Sequence, residues 1–160
     1  MRHLISFSES ISYEWTSVEN KKFQKDSHFE YFFSDEYDNQ FKVQIERKSP
    51  WSDTVELVYL VKNIHEDEDE DDFRGGWSYD LIKTNIYRVL QTVFGDILTN
   101  FLKENNWCDR VELVGILKKS ENTGDVSKRS KIYKRFLDKN PIPGFAVNQD
   151  INLIVLSKII

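Results

Sequence analysis

The sequence predicts an α+β fold in which one mixed sheet carries two helices, and three patterns support this prediction. From Thr84 to Glu104, apolar residues follow the i, i+3, i+4, i+7 spacing of one helical face. Before this stretch, several segments alternate polar and apolar residues, as half-buried strands do. After it come a short apolar strand, a second helix and two closing strands. The order ββββ-α-β-α-ββ therefore predicts an antiparallel meander, then α-β-α, then a terminal hairpin.

The meander is predicted from four alternating segments. They cover residues 10–18, 28–33, 41–48 and 54–62. A turn rich in Asp and Asn, Ser34–Asn39, joins the second strand to the third. The fourth strand is apolar on both faces, which favours a central position in the sheet.

The helices and closing strands have recognisable ends. Thr84 is placed to cap the first helix, and Asn105-Asn106 is a plausible stop. A strand is predicted from Arg110 to Leu117. A second helix is predicted at 128–140, with Ser127 as its N-cap and Pro141 and Pro143 ending it. A terminal hairpin follows, with strands 145–147 and 151–157 on either side of a turn at Asn148–Asp150.

Length and composition indicate one globular domain covering residues 1–160. Hydrophobic residues make up 39% and charged residues 31% of the 160 positions, which is typical of a soluble, folded chain. No apolar run is long enough to span a bilayer, and MRHLISFSES lacks the features of a secretory signal. We therefore expect a cytoplasmic protein without a membrane partner. The single Cys108 is expected to be a small buried core residue.

The net charge of −5 is unevenly distributed, because Glu66 to Asp72 supplies seven consecutive acids. Residues 65–79 are predicted to form an acidic, mobile loop. Alternating Asp residues suggest a calcium loop, but that motif needs Gly at its sixth position and Glu at its twelfth. Counted from Asp67, these positions hold Asp72 and Ser78. A solvated loop is the simpler interpretation.

Between Lys118 and Lys139 there are eight Lys or Arg residues against three acids. Several share one side of the second helix, where they could meet an acidic protein surface or a phosphate backbone. An ordinary solvated helix face is the alternative. The predicted partner-binding residues are Lys128, Lys131, Lys134, Arg135, Arg74 and Trp77.

The sequence contains no specific motif for catalysis, for cofactor binding or for metal binding. Glu46 and Lys48 form an E-x-K on a strand, as in PD-(D/E)xK nucleases, but the nearest acids, Asp35 and Asp38, lie in the preceding turn. His3, His28 and His65 have no ligand spacing. We therefore expect no catalytic residue, no bound metal and no cofactor.

The second half of the chain carries two resemblances. The order of elements resembles that of small uncharacterised proteins of tailed phages and some bacteria. It consists of a strand, the helix NIYRVLQTV, a second strand and a helix with the pattern R-x-x-x-Y-x-R (Arg129, Tyr133, Arg135). This resemblance implies a phage origin, with a role in the virion or against the host. The protein would then lie in the host cytoplasm or in the virion.

The same order is similar to the core of GNAT acetyltransferases, where a strand and a long helix bind the acetyl-CoA pyrophosphate. That resemblance implies a general-acid role for Tyr133. The family's phosphate loop, R/Q-x-x-G-x-G/A, is replaced here by an acidic insertion with Arg74-Gly75-Gly76.

These observations favour a non-enzymatic protein-interaction protein that is phage-encoded, either a virion component or a binder of a host factor. Its partners would be virion or host proteins or further copies of itself. One alternative is a degenerate GNAT-like acyltransferase. Another is nucleic-acid binding through the basic second helix.

Overall fold

A computed structural model of the chain describes residues 12–18, 27–63, 84–114, 128–150 and 153–159, with only the backbone of Asn63, Val114, Lys128, Arg129 and Asp150. The predicted acidic loop at 65–79, with Arg74 and Trp77, lies outside these residues.

Seven strands form one mixed sheet, and their order in the sheet is β1-β2-β3-β4-β5-β7-β6. The strands are β1 (Trp15–Val18), β2 (His28–Ser34), β3 (Asn39–Arg47), β4 (Thr54–Asn63), β5 (Arg110–Val114), β6 (Phe145–Asp150) and β7 (Leu153–Lys158). The first four are antiparallel neighbours, β4 and β5 are parallel, and β7 pairs antiparallel with both β5 and β6. The predicted α+β meander, central fourth strand and terminal hairpin are confirmed.

The first helix, α1, begins at Ile86 and ends at Glu104, and its middle part, Gln91–Leu98, is π-helical. Its predicted apolar face is buried, and Val89, Phe94 and Phe101 have no exposed surface. The predicted cap at Thr84 is wrong. The side chain of Asn85 caps the helix by accepting a hydrogen bond from the Arg88 N–H, because the Thr84 hydroxyl is bonded to Asp35 instead.

The second helix, α2, runs over Lys128–Lys139 between the predicted boundaries. Two strand boundaries differ from the predictions. β1 begins at Trp15 rather than at residue 10, and among the described residues before it, 12–14 are not in a strand. The predicted turn at Asn148–Asp150 is wrong, since these residues belong to β6 and pair with β7. β6 is a sheet edge, where polar residues such as Asn148 and Gln149 stay in solvent without leaving the strand.

Both helices pack on the same face of the sheet. Phe101 of α1 contacts Phe29 of β2, and Tyr133 of α2 contacts Tyr59 of β4. The strand registers place Phe29 and Tyr59 on one sheet face. This face is the apolar core, with Val43, Ile45, Val55 and Leu57 among its most buried residues. In the part of the chain that the structure describes, no helix combines the length and apolar character needed to cross a membrane.

Candidate functional site

The exposed side of α2 carries a row of positive charges. Tyr133, Phe136 and Leu137 face the core and fix the orientation of the helix. Lys131, Arg135 and Lys139 are exposed. They are four residues apart, so they lie about one turn, or ~6 Å, from each other along one side of the helix. We call these three residues the cationic face of α2.

The cationic face has no counter-charge among the described residues. Lys134 is different, because its ammonium contacts the Asp138 carboxylate at 2.6 Å. Asp138 is the only acid in α2, so this pair leaves the face uncompensated within the helix. No ion pair within the described ranges joins Lys131, Arg135 or Lys139 to an acid. Three solvated cations in a row therefore favour a negatively charged partner.

The predicted partner-binding residues are only partly brought together. Lys131 and Arg135 lie on the cationic face, whereas Lys134 is engaged by Asp138. Lys128 begins α2, and only its backbone is described. Arg74 and Trp77 lie outside the described residues. The prediction omitted Lys139, although its spacing of four residues from Arg135 was a signal for the same helical side.

A second feature is the parallel pair formed by β4 and β5. The two strands pair from Thr54↔Arg110 to Leu57↔Leu113 among the described residues. In sheets with parallel strands, ligands often bind outside the carboxyl ends of those strands. The sheet thus offers a candidate site at the carboxyl end of β4.

α1 begins at this end of the sheet. Thr84 is bonded to Asp35 in the β2–β3 turn, which adjoins the carboxyl end of β4 through the pairing of Asn39 with Asn63. A ligand at the carboxyl end of β4 would lie near the N-terminus of α1.

Acidic side chains lie beside the start of α1. The Asp35 carboxylate accepts a hydrogen bond from the Thr84 hydroxyl at 2.5 Å. The adjacent Glu36 contacts Arg88 of α1 at 3.8 Å and accepts a hydrogen bond from the Tyr13 hydroxyl at 2.5 Å. Burial, followed by this bond to Glu36, raises the pKa of Tyr13, so the phenol stays protonated. Helix N-termini attract anions, but the negative charge of these two carboxylates disfavours a pyrophosphate bound beside them.

Tyr133 is part of the aromatic core near β4. Its ring lies 5.8 Å from the ring of Tyr59 and 5.4 Å from that of Phe94, and the residue is 3% exposed. The packing of α2 on the sheet accounts for this position. If Tyr133 donated a proton to a ligand, it would do so from a buried position.

The candidate nuclease residues do not converge. Asp35 and Asp38 lie at the β2–β3 turn, whereas Glu46 lies seven residues beyond Asn39 along β3. That separation is on the order of 24 Å, so these carboxylates cannot share one metal. Within the described residues no group of three or more His, Cys, Asp or Glu side chains has the geometry to hold a metal ion. Cys108 is 1% exposed, as predicted for a core residue.

Comparisons with protein families, with curated proteins and with solved structures give no match to this chain.

Proposed function

We propose that the chain is a non-enzymatic interaction protein that binds an acidic protein surface through the cationic face of α2. The single observation that carries this proposal is the row formed by Lys131, Arg135 and Lys139, which is exposed and has no ion pair in the described part of the chain. The neighbouring Lys134 shows the contrast, since Asp138 neutralises it. The resemblance to small phage proteins supports a virion component or a host factor as the partner.

An acidic protein fits this surface better than a nucleic acid. The strongly salt-dependent DNA binders make about 6–10 phosphate contacts. The cationic face, as far as its side chains are described, supplies three cations, and the chain as a whole carries a net charge of −5 that repels a polyanion. A discrete acidic patch needs only local complementarity.

The test is affinity capture from the native source with the wild type and two charge-reversal variants, Lys131→Glu and Arg135→Glu. Lys103→Glu, an exposed lysine of α1, is the matched control. We expect a partner retained by the wild type and the control, lost by both α2 variants, and released at high salt. Retention by both α2 variants would refute the proposed surface. Loss of the captured material on nuclease treatment would replace the protein partner with nucleic acid.

A second candidate, a GNAT-like acyltransferase, is favoured by the parallel pairing of β4 with β5, the strands before and after α1. The resemblance assigns the acyl-CoA to this strand and the helix after it. An acceptor amine would attack the thioester carbonyl, the C–N bond would form as the C–S bond breaks, and Tyr133 would protonate the departing thiolate while the amine loses a proton to solvent. Asp35 and Glu36 at the start of α1 count against pyrophosphate binding.

Titration calorimetry with acetyl-CoA separates this candidate from the first. Binding that persists in Lys131→Glu, together with acyl transfer that is lost in Tyr133→Phe, would favour the acyltransferase. If no heat is measured at about 1 mM acetyl-CoA, a concentration that detects even weak sites, the acyltransferase is excluded.

A further inference from the structure

A cleft beside the edge strand β1 lies apart from the cationic face of α2. Its volume is about 890 Å³, within the range of small-molecule sites. The segment before β1 forms one wall, the end of β2 and the start of β3 form another, and α1 contributes one residue. The described lining includes Tyr13, Glu14, Trp15, Phe33, Phe41 and Asp96. We call this the β1 cleft.

Aromatic rings dominate the walls of the β1 cleft. Tyr13 stacks on Phe33 at 5.8 Å between ring centroids, and Phe33 stacks on Phe41 at 4.8 Å. These three rings are almost fully buried, so they form a rigid base. Trp15, which lies opposite Phe33 in the sheet, is only half-buried and is the aromatic residue of this face that remains accessible from the cleft.

The charged residues among the described lining of the β1 cleft are both acidic. Glu14 is exposed and Asp96 is half-buried, and both contribute to the lining. The described lining contains no Lys or Arg. Arg88 stacks on the Tyr13 ring at 4.0 Å and lies 3.8 Å from Glu36, and no described ion pair joins Glu14 or Asp96 to a cation.

We propose that the β1 cleft binds a small organic cation, such as an alkylammonium or quaternary ammonium compound. The electron-rich faces of aromatic rings attract cations, and Trp provides the strongest such attraction. Carboxylates at the rim add long-range attraction for positive charge. An anion would meet Glu14 and Asp96 unfavourably, and a neutral ligand would leave both carboxylates unused. The proposal is independent of the proposed partner surface, since no residue of the cationic face lines the cleft.

The experiment uses choline as the probe and 3,3-dimethylbutan-1-ol as its uncharged counterpart of nearly equal shape. Binding is measured by titration calorimetry and by the NMR shift of the Trp15 indole N–H, with the indoles of Trp51 and Trp107 as internal references. Choline should bind at least tenfold more tightly than the alcohol. Glu14→Gln and Asp96→Asn should each weaken choline binding by about threefold or more, whereas Asp138→Asn on α2 should leave it unchanged.

Three outcomes would overturn the proposal. Equal binding of choline and the alcohol would mean that charge is not recognised. No calorimetric or indole response at about 10 mM choline would exclude even a weak site. Choline affinity equal in the wild type, Glu14→Gln and Asp96→Asn would place the bound cation elsewhere. The carboxylate variants replace solvent-accessible groups, so folding should be unaffected, and far-ultraviolet circular dichroism checks this directly.

Discussion

The Thr84 hydroxyl donates a hydrogen bond of 2.5 Å to the Asp35 carboxylate and so joins the β2–β3 turn to the start of α1, 49 positions later in the chain. The same carboxylate accepts the backbone N–H groups of Tyr37 and Asn39 and the side-chain amide of Asn39. Asp35 and Asn39 are both buried. One carboxyl group therefore holds the turn in shape and positions the helix on the sheet.

Asp35→Ala should lower the free energy of unfolding by about 2 kcal/mol or more, because it leaves several partly buried donors without an acceptor. Thr84→Val removes only one of those donors and should cost about 1 kcal/mol. Urea denaturation followed by circular dichroism measures both values. Asp138→Ala, which removes an exposed ion pair, should stay within about 0.5 kcal/mol of the wild type. An Asp35→Ala midpoint equal to that of the Asp138 variant would contradict the prediction.

Stability should depend on acid pH through Glu112. Its carboxylate contacts the Lys48 ammonium at 2.6 Å, and this bond, more than the one from Arg110, holds the pKa of Glu112 below its usual range. A carboxyl pKa lowered by folding stabilises the protein above the unfolded-state pKa of about 4.3, and that stability is lost as the pH falls through the folded-state pKa.

Glu112→Gln should therefore cost about 1 kcal/mol or less near neutral pH, because Lys48 is half-exposed and the pair is screened. The difference in the free energy of unfolding between the variant and the wild type should become smaller as the pH falls below about 4. Urea midpoints across this pH range are the measurement. A difference that stays constant with pH would mean that the ion pair does not contribute.

Cys108 should resist alkylation in the folded protein. Burial raises the pKa of the thiol to about 11. The reactive thiolate is therefore scarce near pH 8, and the buried sulfur is also sterically shielded. Iodoacetamide should label the chain in concentrated urea but leave it unlabelled in buffer over the same time. Mass spectrometry measures the labelled fraction. Equal labelling in both conditions would show that the thiol is accessible in the folded state.

The parts of this fold that follow from short-range patterns were predictable, and the parts that depend on distant partners were not. The apolar stripe of α1 and the two apolar faces of β4 are local, so their burial and central position followed directly. The bond from Thr84 to Asp35 is not local, and a capping signal could not reveal it. The polar Asn148–Asp150 segment resembled a turn, but cross-strand pairing with β7 keeps it extended.

The candidate sites divide in the same way. Helical spacing predicted that Lys131 and Arg135 share a side of α2, while the pairing of Lys134 with Asp138 depends on side-chain conformations. The β1 cleft was not predictable, because Glu14 and Asp96 are brought together only by the packing of α1 against the segment before β1.

Gly95→Ala should stabilise α1, although the added Cβ would lie too close to the Gln91 side chain in its present conformation. A Cβ at Gly95 would meet the side-chain amide of Gln91, which is the flexible end of a half-buried side chain and can rotate away. Ala favours helix over Gly by up to about 1 kcal/mol, so the free energy of unfolding should rise by about 0.5 kcal/mol after Gln91 moves. In a Gln91→Ala background the same substitution should raise the free energy of unfolding by more, because no Gln91 side chain has to move. Thermal and urea unfolding measure both pairs, and a loss of stability in both backgrounds would show that the π-helical backbone itself excludes a side chain at residue 95.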